Sequence, residues 1–166
     1  MKKLMAAVLA AMMVLSLSAC SGDKDSGSSA SENSSSSQTA EVTSAALAQK
    51  MVEATTFNDE VIAISADIVP NYYTIPDSVE DYAVYMCPTG ATVEEISVFR
   101  TSDTAAVEEM IQNHIDARKT EYESYRPEEV KKLDGASVVK SGDYVAVIIA
   151  DDTTAAAEAF EAELGA

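Results

Sequence analysis

The sequence is poor in the residues from which most catalytic and metal sites are built. Its 166 residues include no tryptophan, one histidine, two cysteines and six glycines. A zinc site needs three or four histidine and cysteine ligands, and no glycine-rich phosphate loop is present. The single histidine, His114, lies on the apolar side of a predicted helix, where packing explains it better than acid–base catalysis. We therefore expect no catalytic residue, no metal site and no cofactor, and we predict that the protein is not an enzyme.

Basic residues are also scarce, with 11 Lys and Arg against 28 Asp and Glu and a formal net charge of −17. This balance argues against nucleic-acid binding, which requires cations to neutralise phosphates. It also opposes binding flat on an anionic membrane, whereas a cation or a basic partner would be attracted. Solubility of an exported chain is the simpler explanation. We interpret adjacent acids such as Glu94-Glu95 and Glu128-Glu129 as solvated charge, because they do not form a calcium-binding loop.

The N-terminus has a short apolar run and no stretch long enough to span a membrane. Lys2 and Lys3 precede the run from Leu4 to Leu17, which is shorter than the roughly 20 residues of a membrane span and is typical of a signal peptide. It ends in Leu17-Ser18-Ala19-Cys20, which resembles the lipobox of bacterial lipoproteins, where the cysteine is lipidated and the chain is cut before it. The alternative is an ordinary secretory signal with a free cysteine nearby.

The expected organisation is a signal peptide over residues 1–19, a lipidated Cys20 with a tether over 20–43, and one domain over 44–166. The tether is rich in serine and charge, which predicts disorder. Two acyl chains on Cys20 would anchor the chain stably. The predicted location is therefore the extracellular face of the cell membrane, with the lipid as the membrane contact. Cys87 is then unpaired, and we interpret it as a small buried residue rather than a reactive thiol.

The residues after the tether alternate between strand and helix patterns, which predicts an α+β domain. The predicted strands cover residues 82–87, 93–100, 137–140 and 144–150. The predicted helices cover residues 45–54, the segment from Ser102-Asp103 to before Pro127, and residues 153–164. The order ββαββα predicts a four-stranded, mainly antiparallel sheet with helices packed on one face. The N-terminal helical segment is expected to cover part of the other face.

Two strands carry the clearest burial patterns. Val93 to Arg100 alternates, with Ser97 between apolar neighbours, which predicts a half-exposed strand. Tyr144 to Ala150 has no polar side and predicts a central strand buried on both faces. The segment from Ile96 to Thr104 is echoed at one constant offset by the segment from Val145 to Thr153, which supports two halves that each read hairpin then helix.

Four short segments together resemble a family of Gram-positive lipoproteins known as domain of unknown function 4358. They are Asp81-Tyr82-Ala83-Val84-Tyr85, Glu94-Glu95-Ile96-Ser97-Val98-Phe99, Tyr125-Arg126-Pro127-Glu128-Glu129-Val130 and Gly142-Asp143-Tyr144-Val145-Ala146. The resemblance covers most of the chain after the tether and implies a membrane-anchored exterior domain. It implies no activity and no catalytic residues.

Function therefore rests on hypotheses of different classes. The first is a non-enzymatic binding module for an envelope protein or peptide. The second is a receptor for a small molecule or an ion that assists a transporter, which requires a concave pocket with convergent polar groups. The third, an enzyme of unrecognised type, requires His114 and Cys87 or perturbed acids in a common cleft. Tyr72, Tyr73, Tyr122 and Tyr125 could form an exposed amphipathic patch. The simpler interpretation is that their rings line the edge of the core and their hydroxyls face water.

Overall fold

The computed structural model describes residues 42–165, so the predicted signal peptide, Cys20 and the tether up to residue 41 lie outside the described residues. The described part is an α+β domain with four α-helices and one open sheet of five antiparallel strands. None of these helices is long and apolar enough to cross a membrane. The elements are α1 Ser44–Ala54, β1 Ile62–Ala63, β2 Val79–Met86, β3 Glu95–Thr101, α2 Thr104–Tyr125, α3 Val130–Asp134, β4 Ser137–Ser141, β5 Tyr144–Ile149 and α4 Thr154–Leu164, with a 3-10 turn at Val69–Asn71.

The sheet has the strand order β1-β2-β3-β5-β4 and separates two apolar cores. One core lies between the sheet and α2, where Phe99, Val145 and Val147 meet Val107 and Ile111. The second core lies on the opposite face, where α1 and α4 pack over the sheet. Its buried members are Leu47, Ala48, Met51, Ile96, Val98, Tyr144, Ala146, Ile148, Ala156 and Phe160. The domain is therefore three layers, with helices on both sides of the sheet.

The prediction that the long helices share one face is wrong, because α2 and α4 lie on opposite faces of the sheet. Both inner strands, β3 and β5, bury side chains on the two faces. Each face therefore needs its own helical layer to exclude water. The N-terminal helix α1 covers the second face, as expected, and it shares that face with α4. The sheet also has a fifth strand, the two-residue β1, and α3 is added to the predicted order.

The interpretation of β3 as a half-exposed strand is also wrong. Its polar residues Glu95 and Ser97 are both fully buried, beside the buried Phe99. The alternation of polar and apolar residues therefore marks two different buried environments rather than core and solvent. The prediction for β5 is confirmed, since all six of its residues are buried.

Helix α2 carries most of the candidate site, and its start and end are fixed locally. The side chain of Asp103 accepts a hydrogen bond from the amide of Ala106 at 3.2 Å, which is the expected N-cap. The helix ends at Tyr125. Arg126 follows it outside the helix, as is usual for a residue that directly precedes a proline, here Pro127. The buried side chains of its 22 residues recur every three to four positions, so they form one face that packs against the sheet.

Candidate functional site

A buried polar network lies between α2 and the sheet and consists of Tyr73, Glu95, Ser97 and His114. One carboxylate oxygen of Glu95, Oε1, accepts from the hydroxyl of Tyr73 and, at 2.6 Å, from the hydroxyl of Ser97. The other oxygen, Oε2, lies 2.9 Å from Nε2 of His114. The Tyr73 ring stacks on the His114 ring with 4.1 Å between centroids. Every carboxylate oxygen and every ring nitrogen in this network has a partner.

The acceptors around His114 assign its protons. The carbonyl oxygen of Tyr72 can only accept, so Nδ1 of His114, 3.2 Å away, donates to it. Burial alone would lower the pKa of His114, but the charge of Glu95 outweighs burial and raises this pKa. Burial alone would raise the pKa of Glu95, but the charge of His114 and the hydrogen bonds lower it. The two residues therefore form a buried imidazolium–carboxylate ion pair.

The network joins the sheet to the surface turn that precedes β2. Glu95 is the first residue of β3, and His114 lies in the middle of α2. The Tyr72 carbonyl belongs to the turn that follows Val69–Asn71. Burial and the charge of Glu95 raise the pKa of Tyr73 well above its usual value, so this hydroxyl stays protonated and donates. The consequence is that the backbone of Tyr72 is fixed, and with it the side chain that stands at the surface.

A surface groove of about 400 Å³ opens beside this fixed turn, and we call it the Arg118 groove. Its walls come from three segments: the turn at residues 71–72, the turn at 88–90 between β2 and β3, and the last three turns of α2. The residues that line it are Asn71, Tyr72, Pro88, Thr89, Gly90, His114, Ala117, Arg118, Glu121, Tyr122 and Tyr125. The groove thus combines aromatic walls with one guanidinium and one carboxylate.

Arg118 is largely buried in this groove, with its guanidinium carbon 4.7 Å from the ring centre of Tyr122 and 6.0 Å from that of Tyr72. Its Nη1 donates to Glu121 at 2.9 Å and its Nη2 to the hydroxyl of Tyr122 at 3.1 Å. Its Nε–H is buried and finds no acceptor among residues 42–165. A buried charged donor without an acceptor is costly, so this N–H is the unsatisfied donor of the Arg118 side chain.

Two tyrosines and one glycine hold the opposite wall. The hydroxyl of Tyr122 lies 2.9 Å from the carbonyl oxygen of Gly90 and 3.0 Å from that of Thr92, so its single proton is shared between these two acceptors. The Tyr125 ring lies against Tyr122, with 4.8 Å between centroids, and about half of Tyr125 is exposed. Gly90 has a φ of +68°, a conformation that other residues adopt with strain. The turn at residues 88–90 is therefore built around a glycine and two phenol rings.

A second groove of about 360 Å³ lies on the other side of Tyr72 and shares His114 and Ala117 with the first. Its own lining includes Glu109 and Asn113 on α2. His114 borders both grooves, yet both its nitrogens are bonded to Tyr72 and Glu95. The imidazole therefore contributes a wall to each groove and no free nitrogen to either.

A separate buried ionic cluster, the Glu94 cluster, consists of Glu94, Glu129 and Lys132. The ammonium of Lys132 lies 3.3 Å from Glu94 and 3.1 Å from Glu129. Glu94 also accepts from the backbone amides of Asn58 and Asp59. The interpretation of the adjacent acids as solvated is wrong for Glu94, Glu95 and Glu129, which are buried, and holds for the exposed Glu128. The charges of Glu94 and Glu129 are neutralised by Lys132 and by backbone N–H groups, and they fix α3 and the loop at 58–59 to the sheet.

Cys87 is the only cysteine in the described part of the chain and forms no disulfide there. It is buried, as expected from the sequence, and its Sγ lies 3.2 Å from the Thr89 hydroxyl. Burial raises the pKa of the Cys87 thiol, but hydrogen bonds from Thr89 and Thr92 outweigh burial and lower it. Cys87 is not among the residues that line the two grooves beside His114. These two residues therefore do not share a cleft.

The four tyrosines named from the sequence divide between core and surface. Tyr73 and Tyr122 are buried, while Tyr72 and Tyr125 are partly exposed. Both interpretations of these tyrosines are therefore partly correct, and three of the four line the Arg118 groove. Cys20, the residue expected to carry the lipid, lies outside the described residues. Across residues 42–165, no three His, Cys, Asp or Glu side chains are grouped so that they could hold a metal ion.

Two residues of the candidate site were not anticipated from the sequence, and each has a sequence feature that points to it. Arg118 is four residues after His114 and four before Tyr122, a spacing that places all three on one face of α2. Glu95 follows Glu94 at the start of β3, where neighbouring side chains point to opposite sides of a strand. His114 on the apolar face of a predicted helix is a second feature, since a buried imidazole needs hydrogen-bond partners and Glu95 supplies one of them.

A family model described as Domain of unknown function (DUF4358) matches residues 53–150. This range includes every residue that lines the Arg118 groove, and all members of the buried polar network around Glu95 and of the Glu94 cluster. No curated protein and no solved structure shows a significant match to the chain.

Proposed function

The chain belongs to the family known as domain of unknown function 4358, and we propose on the strength of its candidate site that it is a binding domain without catalytic activity. The lipid on Cys20 holds it at the outer face of the cell membrane. The observation that carries the proposal is the Arg118 groove, where one guanidinium with an unused donor stands between tyrosine walls. A concave surface with a few convergent polar groups is the usual form of a ligand site.

The contacts of His114 support binding over catalysis. A general base needs a nitrogen that can reach a substrate proton. Both nitrogens of His114 are engaged with the Tyr72 carbonyl and the Glu95 carboxylate. Catalysis through His114 would require breaking the buried ion pair first. The network instead gives the groove a rigid wall, since it fixes the backbone of Tyr72 from below.

The volume of the groove supports the receptor hypothesis. Small-molecule pockets run from about 300 to about 1,000 Å³, and the Arg118 groove has about 400 Å³. We therefore propose that the domain takes up a small ligand, or one end of a peptide from an envelope partner, and presents it at the membrane.

The anchor is tested by growing cells with radiolabelled palmitate and recovering the protein. We expect the wild-type protein to be labelled and the Cys20→Ala variant to be unlabelled. Cys87 remains in the variant as an internal control for labelling at the other thiol. Label that persists in Cys20→Ala would contradict lipidation at this position.

The binding site is tested in intact cells by placing a photo-crosslinking side chain at position 125, which is half exposed beside the groove. The matched control places the same side chain at the exposed Glu158 on α4, across the sheet. We expect an adduct, detected by mass spectrometry, from position 125 alone. No adduct at 125, or the same adducts at both positions, would count against the groove as a binding site.

A further inference from the structure

We propose that the Arg118 groove binds a free α-amino acid in its zwitterionic form, with an aromatic or apolar side chain. This inference rests on the proposed binding function and adds the chemical class of the ligand. It follows from the charges in the groove, from the unused donor of Arg118 and from the position of the exposed tyrosines.

The carboxylate of the ligand is assigned to Arg118. Its Nη1 and Nη2 already donate to Glu121 and Tyr122, whereas its Nε–H has no acceptor within the described residues. Guanidinium groups bind carboxylates with a planar, charge-assisted geometry that a single ammonium does not match. Because Nε is buried, a ligand carboxylate reaches it only after a shift of the Arg118 side chain, and it then satisfies an N–H that has no acceptor within the described residues.

The ammonium of the ligand is assigned to Glu121. This side chain is exposed at the edge of the groove, three residues after Arg118, and one of its oxygens lies 2.9 Å from Nη1. The charge of His114 is already balanced by Glu95, so Arg118 and Glu121 are the charged pair left facing the groove. Their sum is zero, which fits a zwitterion better than a dianion or a cation.

The side chain of the ligand is assigned to the tyrosine walls. Tyr72 and Tyr125 are among the few large apolar side chains exposed in the described residues, and both border this groove. Aromatic rings pack favourably against other rings and against apolar groups. A groove of about 400 Å³ holds one amino acid with its side chain between these rings.

The experiment is isothermal titration of the purified full-length protein with L-phenylalanine as the probe. Two half-ligands accompany it: L-phenylalaninamide, which lacks the carboxylate, and 3-phenylpropionate, which lacks the ammonium. We expect L-phenylalanine to bind and each half-ligand to bind at least about tenfold more weakly. Arg118→Lys keeps the charge but removes the Nε–H, so it should weaken binding of L-phenylalanine by about tenfold or more.

The matched control is Lys119→Gln, which removes the neighbouring cation outside the groove and should leave the affinity unchanged. Circular dichroism of each variant checks that it is folded. The proposal is overturned if L-phenylalanine fails to bind at about 10 mM, if the amide binds equally well, or if Arg118→Lys binds like the wild type. If crosslinking from position 125 succeeds while this titration fails, the ligand class is wrong and the binding function stands.

Discussion

Replacing Glu95 offers the sharpest probe of the buried ion pair. In Glu95→Ala, the hydroxyls of Tyr73 and Ser97 and the ring of His114 all lose their acceptor. Breaking a buried pair by removing one partner costs about 3–5 kcal/mol. Because domains of this size have about 5–15 kcal/mol of stability in total, the variant should be severely destabilised. Glu95→Gln keeps an oxygen for Tyr73 and Ser97 and offers an N–H to His114, so it should cost only about 1 kcal/mol.

The stability of the wild type and that of Glu95→Gln should also depend differently on pH. In the wild type the pKa of His114 is raised above its usual 6.5, so the contribution of the pair is full below 6.5 and is lost as pH rises through the raised pKa. The pKa of Glu95 is lowered below its usual 4.5, so its contribution is present above 4.5 and is lost as pH falls through the lowered pKa. In Glu95→Gln, burial favours neutral His114, and stability falls as acid protonates this residue in the unfolded state. The gap between wild type and Glu95→Gln should therefore widen from about pH 8 to about pH 5.

Guanidinium unfolding followed by circular dichroism measures both effects, since the chain has no tryptophan to serve as a fluorescent probe. The matched control is Glu123→Gln at an exposed position on α2, the helix that carries His114. Its free energy of unfolding should stay within about 0.5 kcal/mol of the wild type and show no widening gap in acid. A gap for Glu95→Gln that is constant with pH, or that narrows in acid, would refute the ion pair.

Three further predictions concern the Glu94 cluster, the turn at residues 88–90 and the anchor. Lys132→Met leaves two buried carboxylates without their cation and should lower the free energy of unfolding by about 3–5 kcal/mol, whereas Lys131→Met, at the exposed neighbouring position, should be nearly neutral in the same denaturant titration. Gly90→Ala forces a side chain to adopt a φ of +68° and should cost about 1–2 kcal/mol in thermal or chemical unfolding, whereas Gly135→Ala, where φ is negative and the new methyl makes ordinary contact, should cost less. Equal losses within either pair would contradict the corresponding account. Mass spectrometry of the recovered protein should show a wild-type chain that begins at a lipid-modified Cys20 and a Cys20→Ala chain that keeps residues 1–19, and an unmodified wild-type N-terminus would contradict the lipid anchor.

The secondary structure was readable from the sequence because the apolar periods are strong. The apolar spacing along α2 and the absence of any polar residue in β5 place both elements within a few residues of their observed bounds. Asp103 and Pro127 mark the two ends of α2 by simple backbone chemistry. These features depend only on residues that are close together in the sequence, so they can be recognised without knowing the tertiary contacts.

The layer arrangement could not be read in the same way. A strand such as β5, apolar on both sides, gives no sign of which face a following helix covers. The polar residues of β3 misled because Glu95 and Ser97 are buried against partners that are distant in sequence, namely His114 and Tyr73. A buried charge resembles a surface charge in sequence until its partner is known.

The candidate site was foreseen in part. Tyr72, Tyr122 and Tyr125 were named from the sequence, and two segments, the turn at residues 71–72 and the end of α2, bring them to one groove. The role of Arg118 depends on which of its donors remain unused, and that is a property of the folded contacts alone. The groove is therefore a tertiary feature whose aromatic walls, but not its charged centre, were visible in the sequence.

The most direct measurement of the central claim is the side-chain NMR signal of the Arg118 Nε–H in ¹⁵N-labelled full-length protein. On titration with L-phenylalanine, we predict that this signal shifts and exchanges more slowly with water, because a carboxylate takes up the unmet donor of the groove. An Arg118 Nε–H signal that stays unchanged in position and in exchange rate at saturating L-phenylalanine would contradict the account.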